Sequence, residues 1–294
     1  MLELVNVNRS FGGTRVLRDV TFSIAHGRMT GFVGANGAGK TTTMRIILGV
    51  LSADSGTVTR DGRPLETADR RRFGYMPEER GLYPKMKVAE QIVYLARLHG
   101  LNPAAAQRNA ATLLDQLGLG ERADTTVESL SLGNQQRAQI AAALVHDPEI
   151  LVLDEPFSGL DPIAVETVQG VLKERAARGV PVLFSSHQLD IVERLCDDLV
   201  VIAEGAIRAS GSREKLRAEF GESRYELEAT SDIAWVRGTP GIEIEALDGA
   251  TVTFRADTTD AAQNLLRTAL ERGGVARFAP QEPSLAQIFH EVIQ

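Results

Sequence analysis

Gly34-Ala35-Asn36-Gly37-Ala38-Gly39-Lys40-Thr41, preceded by Met29 to Val33 and followed by Thr41 to Val50, decides the fold. The five residues before it form a short apolar run that predicts a buried strand, and Thr41 to Val50, which shares its last residue, predicts a helix. Glycine, four residues, glycine, lysine and threonine between a strand and a helix is the P-loop pattern. Its glycines permit positive φ and turn backbone N–H groups toward phosphate oxygens, and the helix N-terminus adds partial positive charge. Lys40 is placed to reach β and γ phosphates, and the Thr41 hydroxyl to ligate magnesium. Asn36 and Thr42 complete the candidate phosphate cradle with Gly34, Gly37 and Gly39.

Outward from this stretch, Ile150 to Leu153 and Val182 to Ser186 are further short apolar runs, suited to a parallel sheet covered on both faces. The first ends in Asp154-Glu155, two adjacent carboxylates at the strand edge where open α/β sheets bind ligands. Asp154 is expected to hold a magnesium shell and Glu155 to polarise a water for attack on the γ-phosphate. Toward the N-terminus, Val20, Phe22 and Ile24 alternate with polar residues, and Val58 to Leu65 contains the hairpin dipeptide Asp61-Gly62, so antiparallel β structure is expected there. Residues 87–146 carry helical spacing, as in Ile92, Leu95, Ala96 and Leu98, and no strong strand signal. Leu130-Ser131-Leu132-Gly133-Asn134-Gln135-Gln136-Arg137 opens a helix with Ser131 as N-cap, a second place where free N–H groups and a hydroxyl can meet an anion.

Beyond Leu216 the character changes. Ile242, Ile244, Val252 and Phe254 alternate around Asp248-Gly249, which predicts a hairpin. Thr259 is expected to cap a helix with apolar face Ala262, Leu265, Leu266, Ala269 and Leu270, ended by Gly273-Gly274. A last amphipathic helix carries Leu285, Ile288, Phe289 and Val292 after Pro283-Ser284. The expected division is an α/β domain over 1–216 and a small α+β domain over 217–294.

Composition bounds the function. The 294 residues are 43% hydrophobic and 24% charged, typical of a globular chain. The net charge of −7, from 32 basic and 39 acidic residues, argues against a nucleic-acid partner. The most apolar stretch, Ile140 to Val145, is far short of the roughly 20 residues that span a bilayer. Cys196 is the one cysteine, set among Leu189, Val192, Leu195 and Leu199 at helical spacing, and is expected to be a buried, apolar-like thiol.

In this order and context the motifs resemble those of the ATP-binding subunits of ABC transporters, along roughly the first 215 residues. Leu130 to Asn134 is similar to the family's signature, usually Leu-Ser-Gly-Gly-Gln; Leu132 and Asn134 depart from it, while Ser131 and Gly133 are kept. The resemblance implies that Ser131 and Gly133 meet the γ-phosphate, that Phe11 stacks on adenine, and that Ser158-Gly159-Leu160-Asp161 is the D-loop, with Asp161 at the interface between two subunits. It implies that His187 is the switch histidine that contacts γ-phosphate and supports the attacking water. Gly74-Tyr75-Met76-Pro77-Glu78 resembles the Q-loop segment, with Glu78 where a glutamine usually binds magnesium. A carboxylate can serve there, yet it adds negative charge beside the phosphates. The segment Pro77-Glu78-Glu79-Arg80-Gly81-Leu82-Tyr83, together with the small C-terminal domain, is similar to exporter ATPases whose membrane subunits are separate chains.

The implied fold is a P-loop ABC-type core with antiparallel β and helical subdomains. The implied cofactors are ATP and Mg2+. The implied assembly is a homodimer, or a dimer with a paralogous ATPase, on the cytoplasmic face of the membrane with transmembrane permease subunits. Two rivals are a soluble ATPase of the same family acting on ribosomes or nucleic acid, and a nucleotide-binding regulator that does not hydrolyse. The presence of Asp154, Glu155 and His187 disfavours the regulator. His26, His99, His146 and His290 are assigned to structural roles.

Overall fold

Alternating apolar residues at the N-terminus build an antiparallel layer. In the computed structural model β1 (Leu2–Phe11) pairs with β2 (Thr14–Ile24), and Val20, Phe22 and Ile24 all point into the core. The structure describes residues 1–79, 81–220, 224–281 and 284–293; Arg80, Pro283 and the side chain of His290 lie outside the described residues. The chain divides into two compact units, Met1–Arg213 and Glu214–Val292.

In the first unit β4 (Ser55–Arg60) joins the other edge of β1, and β5 (Arg63–Pro64) follows through Asp61 and Gly62, whose φ values of 51° and 79° are those of a primed hairpin turn. The second sheet has six strands: β3 (Met29–Val33), β6 (Phe73–Met76), β7 (Ile150–Leu153), β8 (Val182–Ser186), β9 (Asp198–Ala203) and β10 (Ala206–Ser212). Their order is β10-β9-β3-β8-β7-β6, parallel throughout except for the β9–β10 hairpin. Every residue of β3, β7 and β8 is buried, as a sheet covered on both faces requires. Because these strands are parallel, their C-terminal ends fall on one edge, which delivers the P-loop, Asp154-Glu155 and His187 to the same place.

The helices of this unit are α1 (Lys40–Ile47), α2 (Thr67–Arg70), α3 (Val88–Leu98), α4 (Pro103–Gln116), α5 (Leu132–Leu144), α6 (Pro162–Ala177) and α7 (Leu189–Leu195). The helix expected to run to Val50 stops at Ile47, because Gly49 takes φ +70°. Residues 87–146 hold α3, α4 and α5 with one isolated bridge, Lys87 to Thr126. Cys196 is buried and its thiol is pushed up to about 12 by that burial, so it is inert at neutral pH. The helical spacing around it breaks at Leu199, which belongs to β9; α7 ends at Leu195 and Cys196 is already extended.

The second unit contains α8 (Arg213–Phe220, whose first residue belongs to the first unit), β11 (Arg224–Ala229), β12 (Ile242–Asp248), β13 (Thr251–Ala256), α9 (Thr259–Arg272), β14 (Val275–Pro280) and, as far as Val292, α10 (Leu285–Ile293). Its sheet, ordered β12-β13-β11-β14, is antiparallel. Leu227, Val252, Phe254, Ala262, Leu265 and Ala269 form its core, and Tyr225 stacks between Phe254 and Phe278. Two expectations are corrected here. Thr258, not Thr259, caps α9, its hydroxyl accepting from the Ala261 N–H, because Thr258 has the extended backbone that a cap needs. Leu270 is 57% exposed, since it falls one position past the buried stripe that ends at Ala269. Among the described residues no helix is long and apolar enough to cross a membrane.

Candidate functional site

The P-loop leaves β3 at Gly34, where a Cβ would stand 2.4 Å from the Ile202 carbonyl oxygen, so only glycine fits. Gly39 turns the chain into α1 at φ +112°, and no side chain caps that helix. Lys40, 8% exposed, begins α1 and its ammonium donates to the carbonyls of Gly34 at 2.7 Å and Ala35 at 3.3 Å. A cation held within hydrogen-bond reach of its own loop is preorganised for phosphate oxygens that enter the loop.

At the end of β7, Asp154 is 1% exposed and both its oxygens are engaged: Oδ2 accepts from the Thr41 hydroxyl at 2.8 Å and Oδ1 from the Ser185 hydroxyl at 2.6 Å. The Glu155 N–H donates to the same Ser185 oxygen at 2.8 Å. Ser185 therefore fixes the carboxylate pair, a role that sequence reasoning missed; its signal was a hydroxyl in the wholly buried strand β8. Glu155 itself sits at φ +51°, a left-handed conformation that costs a non-glycine residue about 1 kcal/mol. Its carboxylate lies 2.9 Å from His187 Nδ1. Burial pushes the Glu155 carboxyl up, against the opposing pull of His187 and Lys40. A carboxylate that is short of solvation and aimed by strain is suited to accept a proton from water.

Asn36, Gly37, Gly39, Lys40, Thr41, Thr42, Glu78, Asp154 and Glu155 line one cavity of about 310 Å³ with Val16, a residue the sequence did not single out. The Thr41 hydroxyl, the Asp154 carboxylate and Glu78 present hard oxygen donors, and the first two are already in contact. That set fits a magnesium ion that keeps water and shares phosphate oxygens. His187 is 57% exposed and meets the cavity through Glu155.

Six candidates lie outside this lining: Gly34 and His187, already placed, and Phe11, Ser131, Gly133 and Asp161. Phe11, 44% exposed, ends β1 with the Arg9 guanidinium 4.7 Å from its ring centroid. Ser131 caps α5, its hydroxyl accepting from the Asn134 N–H at 3.4 Å. Gly133 lies so close to the following loop that a Cβ there would stand 3.3 Å from the Gly159 carbonyl oxygen. Asp161 caps α6 by accepting from the Ala164 N–H at 2.8 Å, with Pro162 at the first helical position.

Two family models match the chain. Residues 17–158 match the family model described as ABC transporter, and residues 211–293 match the C-terminal domain of proteins like the ATP-binding protein DrrA1-3. The chain is 38% identical to the uncharacterized ABC transporter ATP-binding protein YhaQ of Bacillus subtilis, over 100% of its own length and 98% of that protein's. It is 38% identical to the Nod factor export ATP-binding protein I of Burkholderia orbicola, over 73% of this chain and 72% of the other. Among solved structures, an ATP-binding subunit of an ABC transporter superimposes with a TM-score of 0.69 at 34% identity, over 75% of this chain and 93% of that one.

Proposed function

Because the chain belongs to the family of ABC transporter ATP-binding subunits, we propose that the cavity between the P-loop and Glu155 is where this subunit holds Mg2+ and ATP and breaks the β,γ bond. The chain is an ATP-binding and ATP-hydrolysing motor subunit of an ABC transporter. The observation that carries the assignment of roles is the convergence of Lys40, Thr41, Asp154 and Glu155 on one cavity.

When bound, magnesium and ATP supply the phosphoanhydride and a cation that offsets its charge. Lys40 turns its ammonium from the Gly34 carbonyl to the β and γ oxygens. Thr41 and Asp154 would hold the magnesium ion, with Glu78, on the same cavity, as a further oxygen donor. Glu155 takes the proton of the attacking water, and His187 orients that carboxylate and the γ-phosphate. Phe11 offers an exposed ring to the adenine.

Ser131 and Gly133 act on the cavity of a mate. The sequence carries one P-loop and one signature segment, so a head-to-tail pair, of two copies or of a copy and a paralogue, encloses two nucleotides, with Asp161 near the shared surface. Closure with ATP and opening after hydrolysis pull on separate permease subunits at the cytoplasmic face of the membrane, in the direction of export. The face that meets them lies between Glu78 and Leu98. In support, Tyr83, Pro84, Lys85, Met86, Tyr94 and Glu128 line a groove of about 660 Å³, and Tyr83 is 60% and Leu98 65% exposed.

Glu155→Gln is expected to slow turnover at least ~10²-fold and to hold an ATP-bound dimer on gel filtration with light scattering. Unimpaired steady-state hydrolysis would remove Glu155 from the base role. Purified with ATP from solubilised membranes, the same variant should bring a polytopic membrane protein with it; ribosomal proteins or nucleic acid in its place would favour the soluble rival.

A further inference from the structure

Helix α5, capped by Ser131, carries three glutamines, of which the two buried ones, Gln136 and Gln139, are three residues apart and therefore on one face. Gln136 and Gln139 are 5% and 4% exposed. The Gln136 amide donates to the Glu155 carbonyl at 2.9 Å. The Gln139 amide donates to two carbonyls, that of Pro77 at 2.7 Å and that of Glu79 at 3.1 Å. Gln139 thus grips the backbone on both sides of Glu78, across 62 and 60 positions of chain. Packing does not call for an amide here. Its neighbours Ala138, Ile140, Ala141 and Ala143 are buried and apolar, and the Gln139 Oε1 is buried with no donor within reach among the described residues. An apolar side chain would fill the space without that orphaned acceptor.

We infer that Gln139 is a positioning residue for hydrolysis, fixing Glu78 at the cavity edge and coupling it to the end of α5 that carries Ser131 and Gly133. The inference rests on the cavity being the hydrolytic site. Gln136 does the same for the Glu155 backbone, so a single helix holds the backbone beneath two of the cavity's carboxylates. A helix is stiff, and Ser131 lies about 12 Å along the axis from Gln139. A shift of its N-terminal end against a mate's nucleotide is therefore transmitted to the peptide units on both sides of Glu78.

The test is a double-mutant cycle on the full chain, with steady-state ATPase kinetics at varied ATP and varied free Mg2+. Gln139→Met keeps the length of the side chain and removes the donor. It is expected to lower kcat about 10-fold and to raise the half-saturating Mg2+ several-fold, while KM for ATP, set by the P-loop, stays within about two-fold. In a Glu78→Ala background the same substitution is expected to have no further effect on kcat, because the group it positions is gone. Gln139→Ala serves the same comparison should the methionine variant not fold. Wild-type kinetics of Gln139→Met beside an impaired Glu78→Ala would overturn the inference and leave the cavity assignment standing. Equal losses from Gln139→Met with and without Glu78 would reduce Gln139 to packing. Full activity of Glu78→Ala would remove the cavity role of Glu78 itself, and the inference with it.

Discussion

In the first unit, strands β3, β7 and β8 bury every residue and then end in polar groups that stay buried: Lys40, Asp154, Glu155 and, within β8, Ser185. In the second unit the sheet buries alternate residues, Val252, Phe254 and Ala256 on β13, while its charges pair nearer the surface, Arg277 with Glu226 at 3.2 Å and Arg255 with Glu245 at 3.9 Å. Arg224 is the exception, buried but tied to Glu245 at 2.9 Å. Surface pairs of that kind are worth about 0–1 kcal/mol, so the second unit is held by its apolar core. The first unit retains desolvated carboxylates and a left-handed Glu155 that packing alone would not select. The difference separates a surface shaped for chemistry from one shaped for packing.

The contrast can be broken most forcefully in the second unit. Phe254→Ala removes a wholly buried ring stacked on Tyr225, and a loss of about 3–5 kcal/mol is expected in the unfolding transition of that unit by denaturant titration. If the first unit's transition moved by as much, the two cores would not be energetically separate.

A smaller effect comes from acid. His146 stacks on His99 at 3.7 Å, its Nε2 lies 3.2 Å from the Phe73 carbonyl, and burial, then His99, lowers it to about 4. Unfolded, the imidazole titrates near its ordinary value of 6.5. Between those values the unfolded chain binds the proton and the folded chain does not, so stability falls as pH drops from about 6.5 toward 4. The loss is about 2 kcal/mol after allowance for partial exposure. The second unit's core cluster, of apolar residues, gives no such slope. Urea unfolding at several pH values would show it, and His146→Gln should flatten it.

The smallest effect sharpens the comparison. Since burial raises the Glu155 carboxyl, the folded state disfavours the charged form, and stability declines as pH rises through the carboxylate range. Glu155→Gln should therefore melt at the same temperature as the wild type or slightly above it, although turnover collapses. A clear drop in Tm on calorimetry would make Glu155 a structural residue.

Much of the fold was legible because its signals are local. Asp61-Gly62 specifies its own turn, and the apolar runs of β3, β7 and β8 specify burial on both faces. Strands β6, β9 and β10 were not singled out, since each is completed by neighbours distant in sequence. Thr258 rather than Thr259 became the cap because one residue's backbone angle, not its type, decides which threonine stands outside the helix. Glutamines 136 and 139 left a faint trace, two amides on the buried face of an alanine-rich helix, but the carbonyls they hold are far away in the chain.

The sequence by itself carried the P-loop pattern and the carboxylates after β7, because each depends on spacing within a few residues of a strand end, while the histidine after β8 was picked out by the family resemblance. Only the tertiary structure decided that Ser185 bridges Asp154 to Glu155 and that Gln139 grips both sides of Glu78. Those bonds join groups whose distance is set by the order of strands in the sheet and by the seating of α5. Neither is encoded in any single stretch of the chain; both arise when buried surfaces meet and every buried polar group must find a partner.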